Sequence, residues 1–296
     1  MVHENKHVKN ARYVRTVESM FACPVCRASM KVVHYQSLIC SNHHTFDFAK
    51  RGYINFMNQP VNTKYSKGLF EARRKLMTEE AFFEPLSHAI ASAIHAHVAK
   101  PKKTSSILDM GCGEGTLLST ICNKVSSRGI RDVIGAGSDI SKAGIAMASK
   151  NYSDKVWTVA DIANPPFKES QFDVILSILS PSNYAECNRL LRTGGIVVKV
   201  VPRSGYLKEI REVLFHKATK KYSNEATLER FSKHFQVAEH FRLCYTTRLN
   251  PASMKWLVQM TPLTWSLTEE KEMSLAEEIS NQITVDLDVM IGISPK

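Results

Sequence analysis

Apolar segments and polar breaks alternate regularly through the middle of this chain. Four apolar segments of strand length come one after another, and they end near Asp109, Asp139, Asp161 and Ser180. A fifth, IVVKVV, covers residues 196–201, and amphipathic stretches of helical length separate several of the five. Strands that alternate with helices are typical of a doubly wound, mostly parallel sheet. The pattern therefore predicts an α/β fold for the central part of the chain.

The C-terminal third has two further patterns. QITVDLDVMIGI, at 282–293, alternates strictly between apolar and polar positions, which predicts a half-buried antiparallel strand. FRLCYTTRL, at 241–249, would pair with it as an edge hairpin of the sheet. Between the central strands and this hairpin, Leu207, Ile210 and Leu214 share one face of a predicted helix.

Three of the seven cysteines fall within eighteen positions near the front of the chain. Cys23 and Cys26 form a Cys-x2-Cys pair, and Cys40 follows MKVVHYQSLI, a segment that predicts a short β-hairpin. Two close pairs of sulfur and nitrogen ligands describe a closed, tetrahedral structural zinc site. In so small a module the metal would contribute folding energy. Spacing alone leaves three candidates for the fourth ligand: His44, His43 and His34.

Positive charge is concentrated in the same region. The chain has 296 residues and a net charge of +11, from 39 lysines and arginines and 28 acidic residues. Residues 1–75 hold thirteen of the basic residues and four of the acidic ones, a net +9. A basic front end on a near-neutral body indicates a module that binds a polyanion, although a solvated basic tail would have the same composition.

The sequence also excludes several classes of protein. No apolar run reaches the roughly 18–20 residues of a membrane-spanning helix, and residues 1–20 lack the apolar segment of a signal peptide. Seven cysteines, an odd number, argue against a disulfide framework. We therefore expect a cytoplasmic protein with no membrane partner.

A glycine-rich loop follows the first central strand. In ILDMGCGEG, Asp109 ends the strand, Gly111, Gly113 and Gly115 lie in the loop, and a helix is predicted from about Thr116. Glycine suits a backbone that turns sharply and approaches a ligand closely, and a helix N-terminus favours polar or anionic groups. The loop resembles motif I of the Rossmann-like S-adenosylmethionine-dependent methyltransferases. NAD binding is the main alternative.

Three downstream features agree with that resemblance. Asp139 ends the next strand, where a carboxylate can accept hydrogen bonds from both ribose hydroxyls. In such methyltransferases the position of Asp161 often meets the adenine amine, and the methyl acceptor usually lies beside a turn such as Ser180-Pro181-Ser182. Four elements in this order favour a cofactor site over an ordinary tight turn.

A zinc module followed by a methyltransferase core resembles one family, the bacterial 23S rRNA guanine-N1-methyltransferases of the RlmA type. The shared sequence motifs are distributed along the chain after its first twenty residues. They include CPVC, HTFDFAKRGYINF, EARRKLM, ILDMGCGEG and WLVQMTPLTW. The segment SPSNYAE at 180–186 is similar to the corresponding segment of the Gram-positive branch that is linked to tylosin resistance.

The resemblance implies a mostly parallel, seven-stranded sheet, an activity of EC class 2.1.1 and a homodimer. It also implies a target guanine in a hairpin of domain II of 23S rRNA. It favours His44 as the fourth zinc ligand. It implies cofactor-binding roles for Phe83, Asp109, Gly111, Gly113, Glu114, Asp139, Asp161 and Tyr206. Two of these depart from the family, since Phe83 stands where relatives often have tyrosine and Tyr206 where a histidine is expected.

Four parts make up the predicted organisation. They are a basic tail at 1–20, a zinc-binding RNA-recognition module at 21–58, a linker and helix at 59–85, and the methyltransferase domain at 86–296. Within the module, basic residues alternate with aromatic ones: Arg27, Lys31, Lys50 and Arg51 with Tyr35, Phe46, Phe48 and Tyr53. Such side chains contact phosphates and stack on unpaired bases of loop RNA. Phe46 and Phe48 fit the module's own core equally well.

Transfer of a methyl group to guanine N1 requires in-line alignment and loss of the N1 proton. Glu186 is one candidate acceptor for that proton, but an acid in a first helical turn more often balances the helix dipole. The catalytic residue is therefore left unassigned. No Asn/Asp-Pro-Pro-aromatic motif follows the fourth strand, which argues against methylation of an exocyclic amine. The alternatives are a small-molecule methyltransferase and a non-catalytic, zinc-containing RNA-binding protein.

Overall fold

The computed structural model describes residues 5–59, 61, 65–98, 104–130, 132–215 and 223–296. Within these ranges the strands form two sheets. The smaller sheet has the order β1-β2-β3 and is antiparallel throughout. Its strands are β1 (Met30–Val33), β2 (Ser37–Cys40) and β3 (Thr45–Asp47). The first two form the hairpin predicted between the cysteine pairs.

The larger sheet has eight strands in the order β10-β11-β9-β8-β5-β6-β7-β4. They are β4 (Ile54–Asn55), β5 (Thr104–Met110), β6 (Asp132–Asp139), β7 (Val156–Val159), β8 (Phe172–Ile178), β9 (Leu191–Pro202), β10 (Gln236–Arg248) and β11 (Gln282–Ile293). Neighbours from β4 to β9 are parallel, whereas β11 is antiparallel to both β9 and β10. The predicted α/β class is confirmed. The expected seven strands are β5 to β11, and β4 adds an eighth.

Helices cover both faces of the larger sheet. They are α1 (Lys6–Thr16), α2 (Lys67–Glu79), α3 (Glu84–His97), α4 (Thr116–Ser127), α5 (Lys142–Asn151), α6 (Tyr184–Leu190), α7 (Lys208–Phe215), α8 (Glu225–Ser232), α9 (Pro251–Met260) and α10 (Glu269–Glu278). The start of α4 agrees with the prediction. The predicted boundary at residue 86 falls inside α3, which begins two residues earlier. Of the predicted linker, residues 60 and 62–64 lie outside the described ranges.

β11 differs from its prediction, because all of it except its two end residues is buried. Its position between β9 and β10 covers it on both sides. Two of the alternating positions, Asp286 and Asp288, hold carboxylates that basic side chains neutralise. Arg242 Nε lies 2.7 Å from Asp286 Oδ1, and Arg203 Nη1 lies 2.6 Å from Asp288 Oδ1. Alternation here reflects buried ion pairs and not a solvent-facing side.

The first twenty residues also differ from the predicted tail, since α1 is packed against the rest of the chain. Ala11 and Val14 are buried in a hydrophobic cluster with the zinc module. Asn10 is 1% exposed, and its side-chain amide donates to Ser149 Oγ at 3.1 Å and to the backbone oxygen of Arg51 at 3.3 Å. The apolar positions of α1 therefore give it a docked face that charge alone does not reveal.

The zinc module and the methyltransferase core share one hydrophobic cluster. Phe21, Leu38 and Phe46 of the module belong to it together with Phe167 and Leu108 of the core. A β-bridge joins Phe21 to Phe167, and β4 pairs with β7. The module is thus built into the side of the core. Within the described ranges, no helix has both the length and the apolar character needed to cross a membrane.

Candidate functional site

Four predicted ligands meet at one end of the small sheet. The ligand atoms of Cys23, Cys26, Cys40 and His44 all lie within 4.8 Å of one another. His44 Nδ1 lies 3.5 Å from Cys23 Sγ and 3.4 Å from Cys40 Sγ, and the Cys26 and Cys40 sulfurs are 3.7 Å apart. His43, in the left-handed region with φ 62°, is outside this group.

These separations fit a tetrahedral zinc ion. Zn–S bonds of about 2.3 Å and Zn–N bonds of about 2.0 Å place ligand atoms roughly 3.5–3.8 Å apart. A hydrogen bond from the Ala28 backbone amide lowers the pKa of the Cys26 thiol to about 6, which favours the thiolate that binds metal. The donor set and its geometry therefore match a closed structural zinc site.

The glycine loop lies at the carboxyl end of the parallel strands. Gly111 and Gly113 have φ of 89° and 58°. A Cβ at Gly111 would come within 2.6 Å of Ser180 Cβ. The loop therefore approaches the turn Ser180-Pro181-Ser182, hereafter the acceptor turn, too closely for any residue other than glycine. Asp139, at the end of β6, accepts from the amides of Gly113 and Ser141, both at 2.8 Å. Its carboxylate therefore fixes the shape of the loop.

A cavity of about 530 Å³ opens beside this loop. Six of the eight residues proposed for cofactor binding line it: Phe83, Gly111, Gly113, Asp139, Asp161 and Tyr206. Burial raises the pKa of Tyr206 to about 12, so its hydroxyl stays protonated. Ser180 and Pro181 line the same cavity, which brings the acceptor turn next to the loop as the strand order requires.

Asp109 and Glu114 lie behind the loop and do not line the cavity. Asp109 is 3% exposed, and its buried Oδ1 has no hydrogen-bond partner among the described residues. Burial raises the pKa of Asp109 to about 7. The Glu114 side chain is fully buried and accepts from the backbone amide of Thr116 at 3.0 Å.

Sequence reasoning missed Arg73 of α2. Its Nε donates to Glu114 Oε1 at 3.1 Å, and the residue lines the cavity next to Gly113. Within the described ranges this is its one hydrogen bond or ion pair, so the two terminal nitrogens of the guanidinium are left for a ligand. The motif EARRKLM, which is shared with the family, pointed to this region. Only the packing of α2 over the loop shows which of its arginines lines the cavity.

Aromatic rings surround the mouth of the cavity. Tyr65 packs edge-on against Trp265 at 5.2 Å and lies roughly parallel to Phe70 at 6.0 Å, measured between ring centroids. All three residues line the cavity, and the buried indole N–H of Trp265 has no partner in the part of the chain that the structure describes. The rings come from residues about 200 positions apart, so no local pattern could have assembled them.

Two groups of candidate residues lie away from the cavity or are buried in the packed interior. Glu186 is bound by Arg189, with Nη2 and Oε2 2.6 Å apart, and it does not line the cavity. In the zinc module Phe46, Phe48 and Tyr53 are buried, so they form core and not stacking surface. Tyr35 remains partly exposed beneath the guanidinium groups of Arg12 and Arg15, at 5.8 and 5.4 Å.

Comparisons with known proteins identify the two regions of the chain that contain these sites. Residues 21–67 match the zinc-ribbon family model described as "RlmA, N-terminal", and residues 107–195 match the model described as "Methyltransferase domain". YxjB of Bacillus subtilis, provisionally named a 23S rRNA (guanine-N1)-methyltransferase, is 46% identical over 282 residues, 94% of this chain and 99% of its own. A Streptomyces fradiae 23S rRNA (guanine(748)-N1)-methyltransferase is 25% identical over 85% of this chain and 88% of its own.

The parallel sheet, the glycine loop and the matched domain define the class: this is an S-adenosylmethionine-dependent methyltransferase, not an NAD-binding protein. The match to YxjB covers 94% of this chain, more than the two family models together. The chain belongs to the RlmA-type 23S rRNA (guanine-N1)-methyltransferases, and the predicted family is confirmed.

Proposed function

We propose that this protein transfers a methyl group to N1 of a guanine in 23S rRNA. The observation that carries the proposal is the fusion of the zinc module to the methyltransferase core through a shared hydrophobic cluster. A small-molecule methyltransferase would have no use for a basic zinc module held so firmly. A non-catalytic RNA-binding protein would have no use for an open cavity beside the glycine loop.

The cavity residues suit S-adenosylmethionine, which when bound supplies an electrophilic methyl group. Asp139 retains lone pairs for the ribose hydroxyls besides those that accept the loop amides. Asp161 also lines the cavity, and its carboxylate would accept from the adenine amine. The loop backbone at Gly111 and Gly113 can approach the methionine portion closely. Arg73 offers a guanidinium fork to the methionine carboxylate.

The aromatic mouth of the cavity suits the acceptor base. A guanine must leave its stack to reach a buried methyl group, and rings of Tyr65 and Trp265 would replace the lost stacking. The Trp265 indole N–H could donate to a base oxygen or ring nitrogen, which would satisfy a donor with no partner among the described residues.

The RNA-binding face of the proposal lies on the zinc module and α1. Lys31, Lys50 and Arg51 are exposed on the module, and Arg12 and Arg15 of α1 flank Tyr35 beside it. Docking of α1 therefore extends the basic surface beyond the module predicted from sequence. Phosphate contacts from such a face supply most of the affinity for nucleic acid.

The family resemblance supports four finer proposals. The target guanine lies in a hairpin of domain II, two chains form a homodimer whose basic faces line one cleft, the enzyme acts in the cytoplasm, and its methylation confers macrolide resistance. Sedimentation with and without rRNA would test the dimer. Growth on tylosin with and without the gene would test resistance.

The decisive experiment maps modified nucleotides in 23S rRNA by mass spectrometry in cells with and without the gene. We expect one guanine to lose a methyl group in the deletion strain and to regain it with purified protein and methyl-tritiated S-adenosylmethionine. Identical maps, or transfer to small acceptors but not to rRNA, would contradict the proposal. A variant with Asp139→Ala should fail to restore the mark.

A further inference from the structure

Lys199 of β9 is a buried lysine that has no acidic partner among the described residues. The residue is 4% exposed and lines the cavity. Within the described ranges no carboxylate lies within ion-pair distance of it. Buried ammonium groups are normally paired because desolvation of an isolated charge is costly. Lys155, also 4% exposed, obeys that rule, with its Nζ 2.9 Å from Asp154 Oδ2. Because Lys199 departs from this rule, its burial needs a functional explanation.

The Lys199 amine is fixed beneath the acceptor turn. Its Nζ donates to the Ser180 backbone oxygen at 2.5 Å and to Ser177 Oγ at 3.1 Å. Ser177 Oγ is in turn 2.8 Å from Ser182 Oγ, on the other side of the same turn. A neutral amine has two N–H groups and one lone pair. Both N–H groups are used by these two oxygens, so the lone pair is left to accept a proton.

We infer that Lys199 is the base that takes the N1 proton of the target guanine, an inference that rests on the proposed function. In this step the N1–H bond breaks and its proton passes to Lys199 Nζ, which becomes an ammonium. The N1 electron pair forms the bond to the methyl carbon while the carbon–sulfur bond breaks, and the sulfonium becomes a neutral thioether. Atoms and charge balance without a further reactant.

The surroundings of Lys199 favour the neutral amine. Burial lowers the pKa of Lys199 to about 8, because desolvation penalises the charged form. Cys187 of α6 and Arg230 of α8 act on its charge, and Asp139, Asp161 and Tyr206 line the same cavity. Burial raises the pKa of Cys187 to about 12, so it is a neutral thiol near pH 7. Arg230 disfavours a second positive charge. A base with such a pKa matches the operating pH of a general base.

The test uses the full-length enzyme, rRNA without the modification and single-turnover rates. Lys199→Gln should reduce the rate by about 10²- to 10⁴-fold, the usual contribution of a general base. Affinities for S-adenosylmethionine and rRNA should stay within about twofold. Lys155→Gln removes an equally buried lysine and serves as the control for a structural effect. Wild-type rates should rise with pH and level off above about pH 8, and the Lys199→Gln profile should lack this step.

A second substrate separates a base from a merely structural lysine. Transcripts that carry 8-azaguanine, whose N1 is more acidic, need less help in losing the proton, so the defect of Lys199→Gln should shrink several-fold on them. An equal defect on both transcripts would overturn the role of Lys199. In the protein without ligands, nitrogen-15 NMR of the lysine side chains should show one amine that titrates near pH 8 and is missing from Lys199→Gln. A wild-type enzyme that methylates another atom would overturn the proposed function itself.

Discussion

Phe21, two residues before the first zinc ligand, packs its ring against Phe167 of the methyltransferase core at 5.3 Å between centroids, and both side chains are fully buried. The contact joins the segment that carries the metal site to the segment between β7 and β8 of the core. We therefore expect module and core to unfold together. Phe167→Ala should cost about 3–5 kcal/mol of unfolding free energy and preserve a single transition. Phe215→Ala, at a half-exposed phenylalanine on α7, is the control. Two separate transitions in calorimetry would contradict this coupling.

Loss of the metal should affect the whole chain. Cys26→Ser should abolish zinc binding and rRNA methylation, and it should lower the melting temperature of the single transition because the module shares its cluster with the core. Atomic emission and calorimetry measure the two effects. Cys244→Ser, at an exposed cysteine outside the cluster, should keep one zinc per chain. Full metal content in Cys26→Ser would defeat the ligand assignment.

Arg73 should recognise the carboxylate of the cofactor. Arg73→Gln is expected to weaken S-adenosylmethionine binding by about 1.5–3 kcal/mol, the usual contribution of a charge-assisted hydrogen bond. Decarboxylated S-adenosylmethionine lacks that group, so the same variant should bind it as well as wild type does. Titration calorimetry with both ligands measures the interaction energy between Arg73 and the cofactor carboxylate. Arg74→Gln, one residue along α2 and outside the cavity lining, should show no such selectivity.

Asp109 should make stability depend on pH. Burial raises the pKa of Asp109 from 3.8 to about 7, so the folded state binds the proton more tightly than the unfolded state. Its favourable contribution is complete below pH 3.8 and is lost as pH rises through 7. Asp109→Asn should therefore stabilise the ligand-free protein at pH 8.5 by up to about 4 kcal/mol, and the gain should shrink toward pH 5.5. Denaturant titrations test this, with the exposed Asp132→Asn as control; a pH-independent difference would show that Asp109 does not titrate.

The basic face of the zinc module should set the salt dependence of RNA binding. Neutralising Lys50 and Arg51 to glutamine should weaken rRNA binding and make the slope of log K against log salt shallower by up to about two units. Cofactor affinity should be unchanged. Fluorescence anisotropy across a salt series measures the slope, and the exposed pair Lys255 and Lys271, changed to glutamine, is matched in charge. An unchanged slope in the first double variant would move the RNA face elsewhere.

Local patterns in the sequence predicted the three cysteine ligands of the zinc site and most of the secondary structure, and the family resemblance favoured His44 over His43 and His34. Cys23, Cys26, Cys40 and His44 sit in two short pairs joined by a hairpin, so their meeting depends on few degrees of freedom. The loop at Gly111 and the carboxylate of Asp139 follow from strand order, because the ends of parallel strands meet at one edge. The motifs shared with the family predicted the other cofactor residues that line the cavity.

Only the tertiary structure decided which side chains fill the space between those elements. Arg73 and Lys199 look like ordinary basic residues in the sequence, and their roles arise from a neighbour 41 positions away for the first and from the fold of the acceptor turn for the second. The charge pattern predicted that residues 1–20 form a basic tail. In the structure α1 packs against the rest of the chain, and its Asn10 and Val14 are buried. Burial and pairing between distant segments are sums over the whole packed chain, so no window of sequence contains them.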